Sequence, residues 1–329
     1  MEVRVAIIGC GLIGKKRAGA LGDAARLAVA CDAVSERAEA LAKTVAGCVA
    51  VTNWEEAVSH PGIDIVVVAT THDLLAPIAA AAAAQGRHVL IEKPGARTAD
   101  ELECVAKAAR QTSALVRVGF NHRYHRAFRK AREIFESGVL GPLMFIRGRY
   151  GHGGRLGYDR EWRAQPEISG GGELIDQGMH LIDLARWFLG DFSKVQGCIA
   201  TYFWDMPVED NGFLLLQTAG GQTALLHASC TEWKNLFSFE IYGRTGKLEI
   251  TGLGGSYGVE RLAFYQMLPE MGPPPTHIWE YPMADNSWQM EFQDFLEDIR
   301  LGRQPDPGVE AARAALTVVE TVYRQSNGN

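Results

Sequence analysis

The feature that most constrains this chain lies at its start. Gly9-Cys10-Gly11-Leu12-Ile13-Gly14 follows directly on an apolar run, Val3 to Ile8, and opens a helical stretch from about Leu12 to Leu21. In such a strand–turn–helix, the first glycine permits the tight turn and the second lets backbone approach a pyrophosphate. The third lets the helix pack closely on the strand. The helix then offers unsatisfied N–H groups and a partial positive charge to phosphate. Gly9, Gly11, Leu12, Ile13 and Gly14 are therefore candidates for holding a dinucleotide.

An acidic residue stands where this reading needs one. Asp32 closes the second strand-like run, Leu27 to Cys31, about 20 residues beyond the glycines, where a carboxylate accepts from adenosine ribose hydroxyls. A 2′-phosphate would meet like charge there, so the expected cofactor is NAD in preference to NADP. Arg37 keeps NADP open, and the plain alternative for Asp32 is a polar cap at a strand end.

The pattern that follows fits a doubly wound parallel sheet. Helical periodicity over Ser35 to Val45 precedes an almost wholly apolar run, Ile63 to Ala69, as expected where both sheet faces are covered. An alanine-rich helix, a strand at His88 to Ile91, a helix at Ala99 to Gln111 and a strand at Leu115 to Gly119 continue the β-α alternation. After about Phe120 the pattern changes. A charged helix over Arg126 to Ser137 leads to strands at Leu143–Tyr150, Lys194–Phe203, Phe213–Thr218, Thr223–Cys230, Leu236–Gly243 and Lys247–Thr251. One strongly helical segment, Glu173 to Leu189, interrupts them, and helices at about Ser287–Leu301 and Val309–Gln325 close the chain. The expectation is an α/β chain: a Rossmann domain over 1–121, then an α+β domain over 122–329 with a large open-faced, mostly antiparallel sheet. The closing helices from about 287 are free to pack back on the first domain. The 329 residues are long enough for two domains at about 150 residues each.

Composition excludes other classes. Thirty-three Lys and Arg against thirty-nine Asp and Glu give a net charge of −6, which supplies no general field for nucleic acid or anionic lipid. No run approaches the roughly 20 apolar residues of a membrane span, and the N-terminus does not read as a signal peptide. The six cysteines include no CxxC pair, as in reduced thiols of a cytoplasmic protein. No metal site is expected, because His152, His227 and His277 lack carboxylates or thiols at ligand spacing.

Three further segments converge on one family. His88-Val89-Leu90-Ile91-Glu92-Lys93-Pro94 is a strand and turn, and Val118-Gly119-Phe120-Asn121-His122-Arg123-Tyr124 ends the last strand of the first domain. Gly170-Gly171-Gly172-Glu173-Leu174-Ile175-Asp176-Gln177-Gly178-Met179-His180 carries DxxxH within a longer pattern. With the N-terminal glycines, and in this order, the set resembles the glucose–fructose oxidoreductase / inositol dehydrogenase (Gfo/Idh/MocA) family over essentially the whole chain. The resemblance implies that Lys93, Asp176 and His180 surround the reacting carbon. It also implies cofactor contacts from Thr70, Thr71, His72, Glu92, Lys93 and Asn121, and a homodimer or homotetramer built through the C-terminal sheet. Two departures stand out. Thr70-Thr71-His72 replaces a Thr-Pro-Asn-like turn, and His122 stands where some members carry Arg.

The residues support that chemistry independently. At about 100° per residue, Asp176, His180 and Asp183 share a stripe roughly 60° wide on an otherwise apolar helix. Such a buried ionisable stripe must be paired or face a cavity; a self-satisfied Asp–His pair is the bland alternative. Oxidising a secondary alcohol needs a base for the hydroxyl proton and donors for the developing alkoxide. His180 is the expected base. Asp176 would orient the ring or bind a neighbouring hydroxyl, and Lys93 would hold the reacting oxygen, unless it is simply a solvated turn lysine. The glycine-rich loop with Tyr150, His152, Arg155, Tyr158, Trp162 and Arg163 suits a polyhydroxylated substrate, or else is a surface loop anchored by its aromatics. Trp233, Lys234 and Asn235 are weaker candidates for the same pocket. The expected activity is therefore an NAD-dependent dehydrogenase acting on a sugar, amino sugar, cyclitol or nucleotide sugar. The rivals are an NAD-dependent glycosidase working by transient oxidation and a non-catalytic nucleotide-binding protein.

Overall fold

The computed structural model describes residues 2–270 and 272–327, which fold into two compact units. The first comprises residues 2–120, Glu167–Gly170 and Trp288–Ala314; the second comprises Asn121–Pro166, Gly171–Ser287 and residues 315–327.

In the first unit, β1 (Val3–Ile8), β2 (Ala25–Cys31), β3 (Val49–Val51), β4 (Ile65–Val68), β5 (His88–Glu92) and β6 (Val116–Gly119) form one sheet. Its order is β3-β2-β1-β4-β5-β6, and every pairing is parallel. The order reverses between β1 and β4, so the strand ends carrying Gly9 and Thr70 meet at the switch point where such sheets bind ligands. The helices are α1 (Leu12–Gly19), α2 (Ser35–Ala42), α3 (Trp54–Ser59), α4 (His72–Ala84) and α5 (Ala99–Thr112). The core joins Val5, Ile7, Leu27, Ile65, Val67 and Leu90 to Phe292 and Phe295 of the C-terminal stretch. Sequence periodicity misses β3 and α3. The strand has three residues, too few for a pattern, and the helix has six. The Asn53 cap, whose side chain accepts from Glu55 N at 2.7 Å, was the available signal for α3. The run expected as the third strand is thus the fourth.

The second unit is built on an eight-stranded sheet of β7 (Leu143–Gly151), β8 (Phe192–Ala200), β9 (Asn211–Thr218), β10 (Thr223–Ser229), β11 (Leu236–Gly243), β12 (Gly246–Thr251), β13 (Glu260–Gln266) and β14 (Thr276–Tyr281). The order is β14-β13-β12-β11-β7-β10-β9-β8; only β7 and β10 run parallel. This is the mostly antiparallel sheet expected. No bounded strand was expected over β13, and β14 was missed altogether because its mainly exposed polar and aromatic residues do not alternate cleanly. The remaining helices are α6 (Arg126–Glu136), the four-residue α7 (Pro166–Ser169), α8 (Met179–Leu189), α9 (Ser287–Leu301) and α10 (Val309–Asn327).

The helix expected over Glu173 to Leu189 differs in one respect. It opens with a π-helical turn, Leu174–Gly178, before α8 begins. Such wide turns inside helices concentrate at functional sites. Across it the 100° register does not hold, and the expected acid–His–acid stripe divides. Asp183 receives a bidentate pair from Arg123, at 2.8 and 2.6 Å, and serves as a buried ion pair.

Candidate active site

In the first unit, the three loop glycines do different work. Gly9 has φ +94, and a Cβ there would fall on the Ala69 carbonyl; one at Gly14 would fall on the Gly9 carbonyl. Both are demanded by the protein's own backbone. Gly11 is not: a Cβ there would meet nothing within 4 Å. The open space lies at the N-cap of α1, whose first turn carries no acidic side chain. A loop whose middle glycine faces space rather than protein fits a pyrophosphate.

The Asp32 carboxylate is tied to this loop. It accepts from Cys10 N at 2.8 Å and from Val34 N at 2.9 Å. Burial and the neighbouring Asp32 charge push the Cys10 thiol up to about 12, so it stays a neutral packing group. Leu12 and Ile13 begin α1, with Leu12 exposed. Thr70 and Thr71 follow β4, and the Thr71 hydroxyl donates to Asp73 at 2.6 Å. His72 is buried, its Nδ1 2.8 Å from the Ser169 carbonyl.

Glu92 and Lys93 sit at the end of β5. Glu92 is buried and paired with Arg17 of α1, whose Nε donates to it at 2.6 Å. The same guanidinium reaches Glu291 of α9 at 2.5 Å and lies under the Trp288 ring at 4.5 Å. Glu92 thus locks the Lys93 turn to the helix that begins at the glycine loop. Lys93 itself is partly exposed.

In the second unit, Asp176 lies in the π turn and His180 in the first turn of α8; both are buried. Arg163 Nε donates to Asp176 at 2.8 Å. The His180 ring stacks on His122, with centroids 3.7 Å apart and planes at 28°, and Tyr150 lies 6.1 Å away. His122, discounted in the sequence because it departs from the family's Arg, is therefore the direct neighbour of the expected base. Asn121, expected as a cofactor contact, is buried; it donates to Ser287 Oγ at 2.8 Å and lies 3.2 Å from His122 Nδ1.

Beside Asp176 stands Glu173, fully enclosed, with His152 Nε2 3.6 Å from its carboxylate. Burial pulls the His152 imidazole down, but the Glu173 carboxylate, reinforced by Asp176, outweighs it and leaves His152 above its usual value. Burial also keeps Tyr150 and Tyr158 well above the usual phenol range, so both are neutral groups. Arg163, Trp162, His152 and Tyr158 gather here: Arg163 lies over the Trp162 ring at 4.4 Å, and the His152 and Tyr158 rings are 5.5 Å apart. Arg155 points outward, largely exposed and paired with Glu161 at 2.7 Å.

The glycines before this helix are steric necessities. A Cβ at Gly171 would strike the Tyr323 hydroxyl, and one at Gly172 would strike the Glu209 backbone. Glu209 takes three successive backbone N–H groups: its side chain accepts from Gly172 and Leu174, and its carbonyl from Glu173, each at 3.0 Å. No sequence pattern singled out Glu209, because the turn it caps is remote in the chain. Among the described residues, no group of three or more His, Cys, Asp or Glu could hold a metal ion, and no helix is long and apolar enough to cross a membrane.

Known proteins resemble the chain in sequence and in fold. Residues 3–120 match the family model described as "Oxidoreductase family, NAD-binding Rossmann fold", and residues 128–249 match "GFO/IDH/MocA C-terminal domain". The chain is 27% identical to inositol 2-dehydrogenase of Rhizobium meliloti over 337 residues, covering 98% of this chain and 97% of that one. It is 34% identical to levoglucosan dehydrogenase of Pseudarthrobacter phenanthrenivorans over 172 residues, a match spanning 52% of this chain and 44% of that protein. A solved structure, levoglucosan dehydrogenase in complex with NADH, superposes with a TM-score of 0.89 at 24% identity, covering 99% of this chain and 98% of the other.

Proposed function

Because the chain belongs to the Gfo/Idh/MocA oxidoreductase family, with its NAD-binding Rossmann fold, we propose that it oxidises one secondary hydroxyl of a sugar, amino sugar, cyclitol or nucleotide sugar. The observation that carries this reading is the pairing of buried Asp176 with half-buried Arg163 beside a helix that also presents His180. Gly9, Gly11, Leu12, Ile13 and Gly14 would hold the pyrophosphate, with Thr70 and Thr71 following the adjacent strand. Asp32 would accept from the ribose hydroxyls and select NAD over NADP. Bound NAD would supply the hydride acceptor.

The chain's own groups do the rest. His180 takes the hydroxyl proton as the carbon–hydrogen bond gives up its electron pair as hydride. Its stacking on His122 holds the ring in one plane for that transfer. Lys93 steadies the oxygen as alkoxide character develops. Asp176, held by Arg163, and His152, held by Glu173, are placed to bind neighbouring hydroxyls. Residues 1–121, with the C-terminal helical stretch from about 287 packed on them, would act as the nucleotide-binding part, and the rest of 122–329 as the substrate-binding part.

The outward face of the eight-stranded sheet supports a homo-oligomer. Leu215 and Leu225 sit opposite each other on β9 and β10, yet remain 45% and 53% exposed. The cysteines form no disulfide, which supports a reducing compartment such as the cytoplasm.

A screen of sugars, cyclitols and nucleotide sugars for NADH formation tests the reading. At least one should turn over, and His180→Ala should lower kcat by about 10²–10⁴-fold while NAD affinity stays within about twofold. Full turnover in His180→Ala would remove it from the mechanism.

A further inference from the structure

The second unit carries a chain of rings that leads from this region to solvent. Ring centroids step from His152 to Tyr158 at 5.5 Å, to Trp204 at 5.7 Å, to Phe203 at 5.1 Å and to Trp233 at 4.6 Å. The inner end adjoins Glu173. The outer end is open: Tyr202, Phe203 and Trp233 are 72%, 54% and 67% exposed. Sheet register explains the gathering. β7, β8 and β10 end at Gly151, Ala200 and Ser229, while β9 and β11 begin at Asn211 and Leu236, all at one end of the sheet.

These exposed rings are held, not merely tolerated. Fully buried Asp210 accepts the backbone N–H groups of Tyr202, Phe203 and Trp204 at 2.8–3.1 Å, fixing the turn that displays them. Trp204 Nε1 donates to the Cys230 carbonyl at 2.9 Å. Trp233 adopts φ +56, a left-handed backbone that a bulky aromatic rarely occupies. Its backbone lies against Gly153, where a Cβ would come within 3.0 Å. The backbone that carries the outermost ring is therefore packed against the residue next to His152.

Area and charge narrow the occupant. At these exposures three aromatic side chains offer roughly 400 Å², about half the area one partner gives to a stable protein interface. Two arginines of the adjoining loop are already engaged, Arg155 with Glu161 and Arg163 with Asp176. The remaining cations, Arg160 and Lys234, are exposed single charges that build no enclosed phosphate site. Phe203 meets Trp233 edge to face, at 86°, so each ring presents its own apolar face. A single exposed indole face of this kind suits a pyranose ring, which has C–H faces and a hydroxyl edge.

We infer that Trp233, braced edge to face by Phe203, is a stacking shelf for a second, uncharged pyranose ring of a glycoside substrate whose reacting ring lies toward His180. This deepens the dehydrogenase reading and rests on it.

Two readouts on the full-length protein with NAD test the shelf. The first compares glucose with cellobiose and maltose, and galactose with lactose, as kcat/KM for NADH formation. For at least one pair the disaccharide should exceed its monosaccharide about tenfold, and Trp233→Ala should abolish that ratio. The second follows the Trp233 indole N–H resonance, assigned by its loss in Trp233→Phe, and needs no turnover. It should shift with a disaccharide and not with the matching monosaccharide. Response without any NADH formation would refute the dehydrogenase reading and keep the shelf. Turnover with a silent Trp233 and an unaltered ratio would overturn the shelf, as would response to UDP-glucose alone. A fall in oligomer mass in Trp233→Ala would likewise overturn it, by assigning the rings to a second copy of the chain.

Discussion

Glu209 offers a perturbation whose size can be worked out from its contacts. Its buried carboxyl accepts from Gly172 N and Leu174 N at 3.0 Å and from the Tyr323 hydroxyl at 2.8 Å. Glu209→Ala strands three buried donors. At about 1–3 kcal/mol each, with partial relaxation, the loss is on the order of 4 kcal/mol, or about 10 °C in Tm. The pH dependence is more diagnostic. Burial outweighs the three donors and raises the carboxyl from 4.5 to about 7. Between those values the folded protein keeps a proton that the unfolded chain has lost. Stability from this group is thus fully present below pH 4.5 and is lost as pH rises through 7. The loss is about 3 kcal/mol at 1.36 kcal/mol per unit. Glu209→Gln removes the titration. Thermal melts of both proteins from pH 4.5 to 8 should show the wild-type advantage shrinking by about that amount, then levelling off above 7. Parallel curves would refute the raised carboxyl, and an unchanged Tm in Glu209→Ala would refute the clamp.

The glycine loop and its acidic partner give two further expectations. Gly11→Ala should leave thermal stability within about 1 kcal/mol yet weaken NAD binding at least about tenfold by calorimetry, whereas Gly14→Ala should fail to fold normally, because its Cβ meets the Gly9 carbonyl. Equal loss of stability in both would end the distinction. Asp32→Ala should lower the NAD:NADP ratio of kcat/KM at least about tenfold and cost about 1–2 kcal/mol of stability, since Cys10 N and Val34 N lose their acceptor. A wild-type preference for NADP would refute this reading of Asp32.

What the sequence disclosed follows from how local each feature is. The glycine loop and the long buried strands announce themselves in consecutive residues, and both sheets are recognisable from those signals. Features made by distant pairing do not. Glu209 is separated in sequence from the turn it caps by α8 and β8, and nothing near it marks the connection. The π turn at Leu174–Gly178 is equally silent, so regular helical spacing grouped Asp183 with Asp176, whereas Arg123 claims Asp183. His122 was discounted by comparison with relatives; only coordinates reveal its ring against His180. Short or exposed elements such as Val49–Val51 and Thr276–Tyr281 lack the alternation that burial imposes.

The buried charges of the first unit bear on whether its N-terminal stretch is portable. Arg17 rests between Glu92 and Glu291, and Arg117, wholly enclosed, pairs with Asp294 and Asp298. Val118 N donates to the Pro307 carbonyl at 3.2 Å, and Phe292 and Phe295 complete the core. A gene fragment ending at residue 120 would keep every residue of the cofactor loop. It would also leave Arg117 in the interior without either carboxylate and Arg17 with one of its two, and would open the apolar core. Residues 288–314 are therefore needed to finish a unit begun by residues 2–120. Recombination between relatives can exchange this unit intact only by carrying residues 288–314 with it, so inheritance of cofactor preference is tied to two stretches far apart in the sequence.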